Sequence, residues 1–265
     1  MTRTQFSQSE YHSHPLLPIY SDNATVRESA GKHAMIHVPW AMLILSSMQC
    51  FLFLWYVPQS EQVLVDISNS LWPFSASRTL QGWRLFGYAF IHIEFQHLIC
   101  NVSVEIALGV YLEKCFGRLN TFCIFALGAA TGALVVGLVN NNDILIGASA
   151  GVCALLAALA SKQLAHLLNH SFSVVSIWWI AVFLLTVSLD VVSLTYDVKS
   201  IYKEKSHLVA YFSHLGGSFA GLIYGALLLM NTRGSQFRVV VWWTLALSYV
   251  VVVSFSIVLI VDKHS

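Results

Sequence analysis

Charge is scarce in this chain of 265 residues: charged side chains make up only 10%, against 57% hydrophobic and 13% aromatic residues. Soluble domains carry about a quarter charged residues. That shortage, with a mean hydropathy of +0.68, excludes an ordinary water-soluble globule and implies a polytopic membrane protein. The net charge of +1 leaves no basic face for nucleic acid, and no lysine or arginine cluster marks an anionic-lipid site. Cysteine is sparse and odd in number. Cys50, Cys100, Cys115, Cys123 and Cys153 lie in or beside apolar runs, which argues against a disulfide framework and reads as small core residues. No metal-ligand cluster is present, since His92 and His97 at i,i+5 do not share a helical face, so neither metal nor cofactor is expected.

What the chain has instead is apolar length. Runs at about 34–57, 88–112, 121–139, 146–168, 174–195, 208–230 and 239–261 are each long enough to cross a bilayer as a helix. The expectation is an all-α transmembrane bundle of seven crossings occupying residues 34–265 as one domain. Residues 1–33 are polar, lack the apolar region of a cleavable signal peptide, and read as a flexible cytosolic tail. Seven crossings put the termini on opposite faces. Sorting the cations along that path places Arg3, Arg27, Lys32, Lys114, Arg118, Lys162, Arg233 and Arg238 with the N-terminus. The other face receives Arg78, Arg84, Lys199, Lys203, Lys205 and Lys263, a bias toward a cytosolic N-terminus. The Asn23 and Asn169 sequons fall on that cytosolic face, and the Asn101 sequon falls inside a helix.

Polar groups inside the runs are functional candidates by default, because lipid charges several kcal/mol for an unpaired one. His92, His97 and Asn101 fall in the first half of the second crossing, Ser149 at the start of the fourth and His214 early in the sixth. Even-numbered crossings run in the same direction, so these residues gather near one membrane face. Ser149, six residues beyond Asp143, and His214, seven beyond His207, would lie about 9–11 Å below the surface if the intervening chain is helical.

Ser149 sits in Gly147-Ala148-Ser149-Ala150-Gly151. At a helix start, unpaired backbone N–H groups and the dipole favour an oxyanion, and His97 with Asn101, at i,i+4, can add donors. The same pattern also has a packing explanation, in which Gly147, Ala150, Gly151, Ala154 and Ala158 let helices approach and Ser149 bonds its own backbone. Gly217, Gly221 and Gly225 form a second small ridge just after His214. Two such ridges packed face to face would bring the serine and histidine together, so the packing and catalytic readings are complementary.

Trp83-Arg84, His92 with His97 and Asn101, Tyr111-Leu112-Glu113-Lys114, the Gly147–Gly151 segment, and His214 with Gly217 and Gly221 resemble, in order and spacing, the signatures of rhomboid intramembrane serine proteases. The resemblance runs from about residue 34 to the end of the seventh crossing. It implies a Ser149–His214 dyad, an oxyanion hole from His97, Asn101 and amides near Gly147 and Ser149, and single-span transmembrane substrates. His92 would help position substrate, and Gly151, Gly217 and Gly221 would serve helix packing. No third carboxylate is expected: Asp190, near the outer end of the fifth crossing, is an intramembrane acid that could orient His214, but it is expected to cap or face water.

Six core helices plus a C-terminal one resemble the eukaryotic secretory-pathway type, which implies placement in Golgi, endosome or plasma membrane. Membrane lipids are the other expected partners, and the oligomeric state is not readable. The fifth crossing, with Trp178, Trp179 and Phe183, resembles the family's lateral gate. Cys153 stands where the family carries a tyrosine that packs on the histidine, which implies an enzyme slower than its relatives. Two alternatives stay open: a non-proteolytic binder of membrane helices, like the inactive rhomboids and derlins, and a transporter with a proton path through His92, His97 and His214.

Overall fold

A bilayer offers the backbone no hydrogen-bond partners, so apolar runs of this length satisfy themselves as helices. The structure is a computed structural model that describes residues 38–56, 70–139, 144–169, 172–199, 206–230 and 236–264. Among these lie α1 (Trp40–Tyr56), the short α2 (Arg84–Gly87), α3 (Phe95–Phe116), α4 (Arg118–Val139), α5 (Ser149–Asn169), α6 (Val174–Lys199), α7 (Ser206–Leu229) and α8 (Gln236–His264). Six of them are long and apolar enough to cross, and α1, with 17 residues, is at the short end of what spans. The expected all-α bundle is what forms. The tail at residues 1–33, Asp143, Lys203, Lys205 and Arg233 lie outside the described residues.

The second crossing begins later than its apolar run. Arg84–Gly87 and Tyr88–Phe90 form two short helical turns, and α3 starts only at Phe95, so His92 lies in the connection and not in the membrane helix. Here the apolar signal came from burial against protein: Tyr88, Ala89, Phe90 and Ile91 are all core residues. The connection is anchored by Arg84, whose Nη1 donates to Ser70 O (3.0 Å) and Pro73 O (2.8 Å), while Trp83 Nε1 donates to Leu71 O (3.1 Å).

At the centre, α5 packs against both α4 and α7. The two small ridges meet as expected: a Cβ on Gly217 would lie 2.1 Å from Ala150 O, one on Gly221 2.1 Å from Ala154 O, and one on Gly225 2.9 Å from Ala158 Cα. Gly151 serves the other face, against the Phe125 ring of α4, and Gly132 lets α4 approach Ser213 of α7. α6 leans on α5 and α7, with Phe183 packed against Ala157 and Ala160 and Trp178 exposed. α8 covers α4 from outside.

Sequence reasoning overlooked Glu105 and gave Glu113 no role beyond its place in the Tyr111–Lys114 motif. Glu105 of α3 is fully buried and accepts hydrogen bonds from Ser46 Oγ (3.1 Å) and Gln49 Nε2 (2.9 Å) of α1, and Glu113 accepts from Met42 N (2.9 Å). They dock α1 on α3, where α1 itself is too uniformly apolar to fix its rotation. Glu105→Leu leaves two buried donors without acceptors, at about 1–3 kcal/mol. The expected result is a melting midpoint of the solubilised protein lower by roughly 5 °C. Gln49→Leu added to it should recover part of the loss, and a double variant no better than the single would show that the contact is not what α1 depends on.

The cysteines correct the composition reading. All five are free, but only Cys153 is buried. Cys100 is exposed and the other three are intermediate, so burial accounts for one of them.

Candidate active site

Ser149 is placed by residues 144–148, the segment before it. Leu145 pairs with Phe74 in both directions (Leu145 N to Phe74 O 2.9 Å, Phe74 N to Leu145 O 3.2 Å). Gly147 N then donates to Tyr88 O (3.1 Å) and Ala148 N to His92 Nε2 (3.4 Å). Gly147 has φ +112°, a conformation that only glycine adopts without strain, and this turns the extended segment into α5. A Cβ there would also strike the His97 ring, 2.6 Å from Cε1. Because residues 144–148 are not helical, the depth argument from Asp143 does not apply, and hydrogen bonds across the connection hold Ser149 instead.

Helix α5 opens with Val152 N bonded to Ala148 O (3.1 Å), so the amides of Ser149, Ala150 and Gly151 have no carbonyl within the helix. Ser149 is partly exposed, and among the described residues its hydroxyl has no hydrogen-bond partner. The packing-only explanation had it bonded to its own backbone, as Ser161 is to Ala157 O (3.2 Å) and Ser213 to Ala210 O (2.7 Å). Ser149 differs from these helix serines in keeping its hydroxyl uncommitted.

His214 lies across the α5–α7 seam. It precedes Gly217 by one turn, and Gly217 touches the backbone of Ala150, the residue after Ser149. His97, on α3, packs against Gly147 and lies within electrostatic reach of His214. The first halves of α3, α5 and α7 therefore converge, as the parity of the crossings requires.

His92 is placed differently from expectation, in the connection before α3, whereas Asn101 lies on α3 one turn after His97 as expected. His92 is buried, and its Nε2 faces two donors, Ala148 N–H and Asn101 Nδ2 (3.3 Å), so that nitrogen is the acceptor of a neutral ring. Its ring meets that of His97 edge-on, with centroids 5.2 Å apart. Asn101 Nδ2 also donates to His97 O (2.9 Å). These two residues thus brace the segment leading to Ser149. The i,i+5 separation of His92 and His97 did not keep them apart, because His92 is not on the helix. Among the described residues no group of histidine, cysteine, aspartate and glutamate side chains is arranged to hold a metal ion.

Asp190 departs most from its expectation. It does not face water: the residue is 8% exposed, and its Oδ1 lies 3.1 Å from His214 Nδ1. Two cavities of about 280 Å³ lie elsewhere, between α4, α7 and α8. They are lined by residues such as Leu134, Phe212 and Val253, or Leu127, Tyr224 and Trp242, and hold none of these polar groups.

Fold and site together define a multi-pass helical membrane protein with a serine at a helix start and a histidine on the helix packed against it along a glycine seam. The Rhomboid domain family matches residues 79–231, more than half of the chain, and the chain belongs to the rhomboid family. It is 24% identical over 234 residues to Rhomboid-related protein 1 of Caenorhabditis elegans, covering 81% of this chain and 63% of that protein. To Rhomboid-related protein 3 of Homo sapiens it is 26% identical over 230 residues, covering 83% and 55%. Inactive rhomboid-related protein 2 of Caenorhabditis elegans is 24% identical over 223 residues, covering 80% and 60%. The chain therefore spans 55–63% of the length of these relatives.

Proposed function

We propose that this protein is an intramembrane serine endopeptidase that cleaves single-span membrane proteins in or near their transmembrane helix. The observation that carries the proposal is the seam itself: Ala150 against Gly217 sets the uncommitted Ser149 beside the turn that bears His214. In the reaction, Ser149 Oγ bonds to the peptide carbonyl carbon while its proton passes to His214 Nε2. As the C–N bond breaks, that proton goes to the leaving amine. Water then attacks the acyl-enzyme, giving its proton to His214 and restoring Ser149. Charge on the carbonyl oxygen develops next to the free amides that start α5, with His97 as the side-chain donor.

Asn101 and His92 act in this scheme by holding the Gly147–Ala148 segment and the His97 backbone, and Gly151, Gly217 and Gly221 by packing. Removing a donor from an oxyanion hole costs about 10²–10³ in kcat. His97→Ala should fall in that range with KM little changed. A His97→Ala enzyme at the wild-type rate would leave the backbone amides as the whole oxyanion site.

The substrates are single-span proteins whose upper helix unwinds readily, lipids surround the α6 face as the entry side, and no cofactor takes part. The cations favour a cytosolic N-terminus in a secretory-pathway membrane, with cleavage toward the opposite face. The test is co-expression with a tagged single-span protein carrying a glycine-rich upper helix. The expected result is ectodomain release by the wild type and none by Ser149→Ala. The similarity to an inactive rhomboid-related protein supports a second reading, a non-proteolytic binder of membrane helices. Substrates that co-purify across a panel without being cleaved would favour it.

A further inference from the structure

Asp190 is the one charged residue in the apolar stretch Val174–Ser193 of α6, and His214 is the one ionisable group apart from tyrosines in Ala210–Leu229 of α7. Chance packing of two long apolar helices rarely sets such lone groups against each other, because a buried carboxylate without a partner is costly. Here they meet at 3.1 Å through His214 Nδ1, with side chains only 12% and 21% exposed. The nitrogen engaged decides the consequence. A carboxylate on Nδ1 holds the proton there, which leaves the Nε2 lone pair free toward the hydroxyl of a serine.

Resting on the protease reading above, we infer that Asp190 is a positioning residue that fixes the tautomer and ring orientation of His214, making the site a Ser149–His214–Asp190 triad assembled from three helices. Cys153 fits this arrangement. It lies one turn after Ser149, is buried, and is within electrostatic reach of Asp190. The imidazole is held from α6 and not by a large ring on α5. His97 of α3 is also within electrostatic reach of His214.

The test is the steady-state kinetics of the purified full chain in lipid vesicles with a single-span substrate, comparing wild type with Asp190→Asn, which preserves size and removes the charge. The expected result is a kcat lower by at least about 10-fold, KM within about 2-fold, and an unchanged melting midpoint, the pattern of a misassigned tautomer. Asp190→Leu, which a membrane helix accommodates readily, serves as a second variant and should lose kcat to at least the same extent. Wild-type kcat in either variant overturns the role. So does a parallel loss of midpoint, KM and kcat, which would make the pair a helix-packing contact. A wild type that cleaves nothing fails the protease reading itself and is told apart by that control.

Discussion

Ser149→Ala, His214→Ala and the double variant are each expected to reduce cleavage by at least about 10³-fold, with the double no slower than either single change. The reason lies in how the two residues share one step. Serine is a weak nucleophile until a base takes its proton, and the base does nothing useful without the serine, so removing either removes the same contribution. Other serines of these helices are already committed: Ser213 donates to Ala210 O, Ser161 to Ala157 O and Ser176 to Gln163 Oε1. None of these can replace Ser149 at a helix start with free amides. Initial rates with a purified single-span substrate decide the matter. More than a tenth of wild-type activity in Ser149→Ala would place the nucleophile elsewhere, and losses that multiply in the double variant would show that the two do not act as a unit.

Gly217→Leu should be nearly as damaging for a different reason. A Cβ at this position would lie 2.1, 2.8 and 3.0 Å from the O, C and Cα of Ala150. All three are backbone atoms of the residue that follows Ser149, so no side chain can rotate out of the way and the helices must part by about 1 Å to reach ordinary contact. Displacement on that scale costs about 10²-fold when it separates reacting groups. The expected outcome is therefore a loss of at least about 100-fold in kcat/KM together with a lower melting midpoint. Gly82→Ala is the matched control, because a Cβ there meets nothing within 4 Å and should change neither quantity. A Gly217→Leu protein with wild-type turnover would mean that the seam is not closed in the working enzyme.

Much of the site was legible before any fold was known. Ser149 was marked by flanking glycines, His214 by a following glycine ridge, and the grouping of both with His97 by the parity of the crossings. The four-residue spacing of Gly217, Gly221 and Gly225 is a packing instruction that lipid does not override, since helices associate in a membrane by close approach of small residues. Less legible was the boundary of α3. Residues 88–91 are as apolar as a membrane span, but their apolarity serves the protein core, and hydropathy does not distinguish the two environments. His92 was consequently placed on a helix when it bridges Asn101 and the Ala148 amide.

What the sequence determined by itself is the class of molecule and its seams: scarce charge and long apolar runs force helices, because backbone groups in lipid have no other partners, and small-residue spacing states which faces can touch. The tertiary structure alone decided which polar groups pair. Asp190 with His214, Glu105 with Gln49, and His92 with Ala148 join residues separated by 24, 56 and 56 positions. A helix such as α6 is apolar on nearly every side, so its sequence pattern does not state its rotation about its own axis. Only packing against α5 and α7 turns Asp190 toward the histidine.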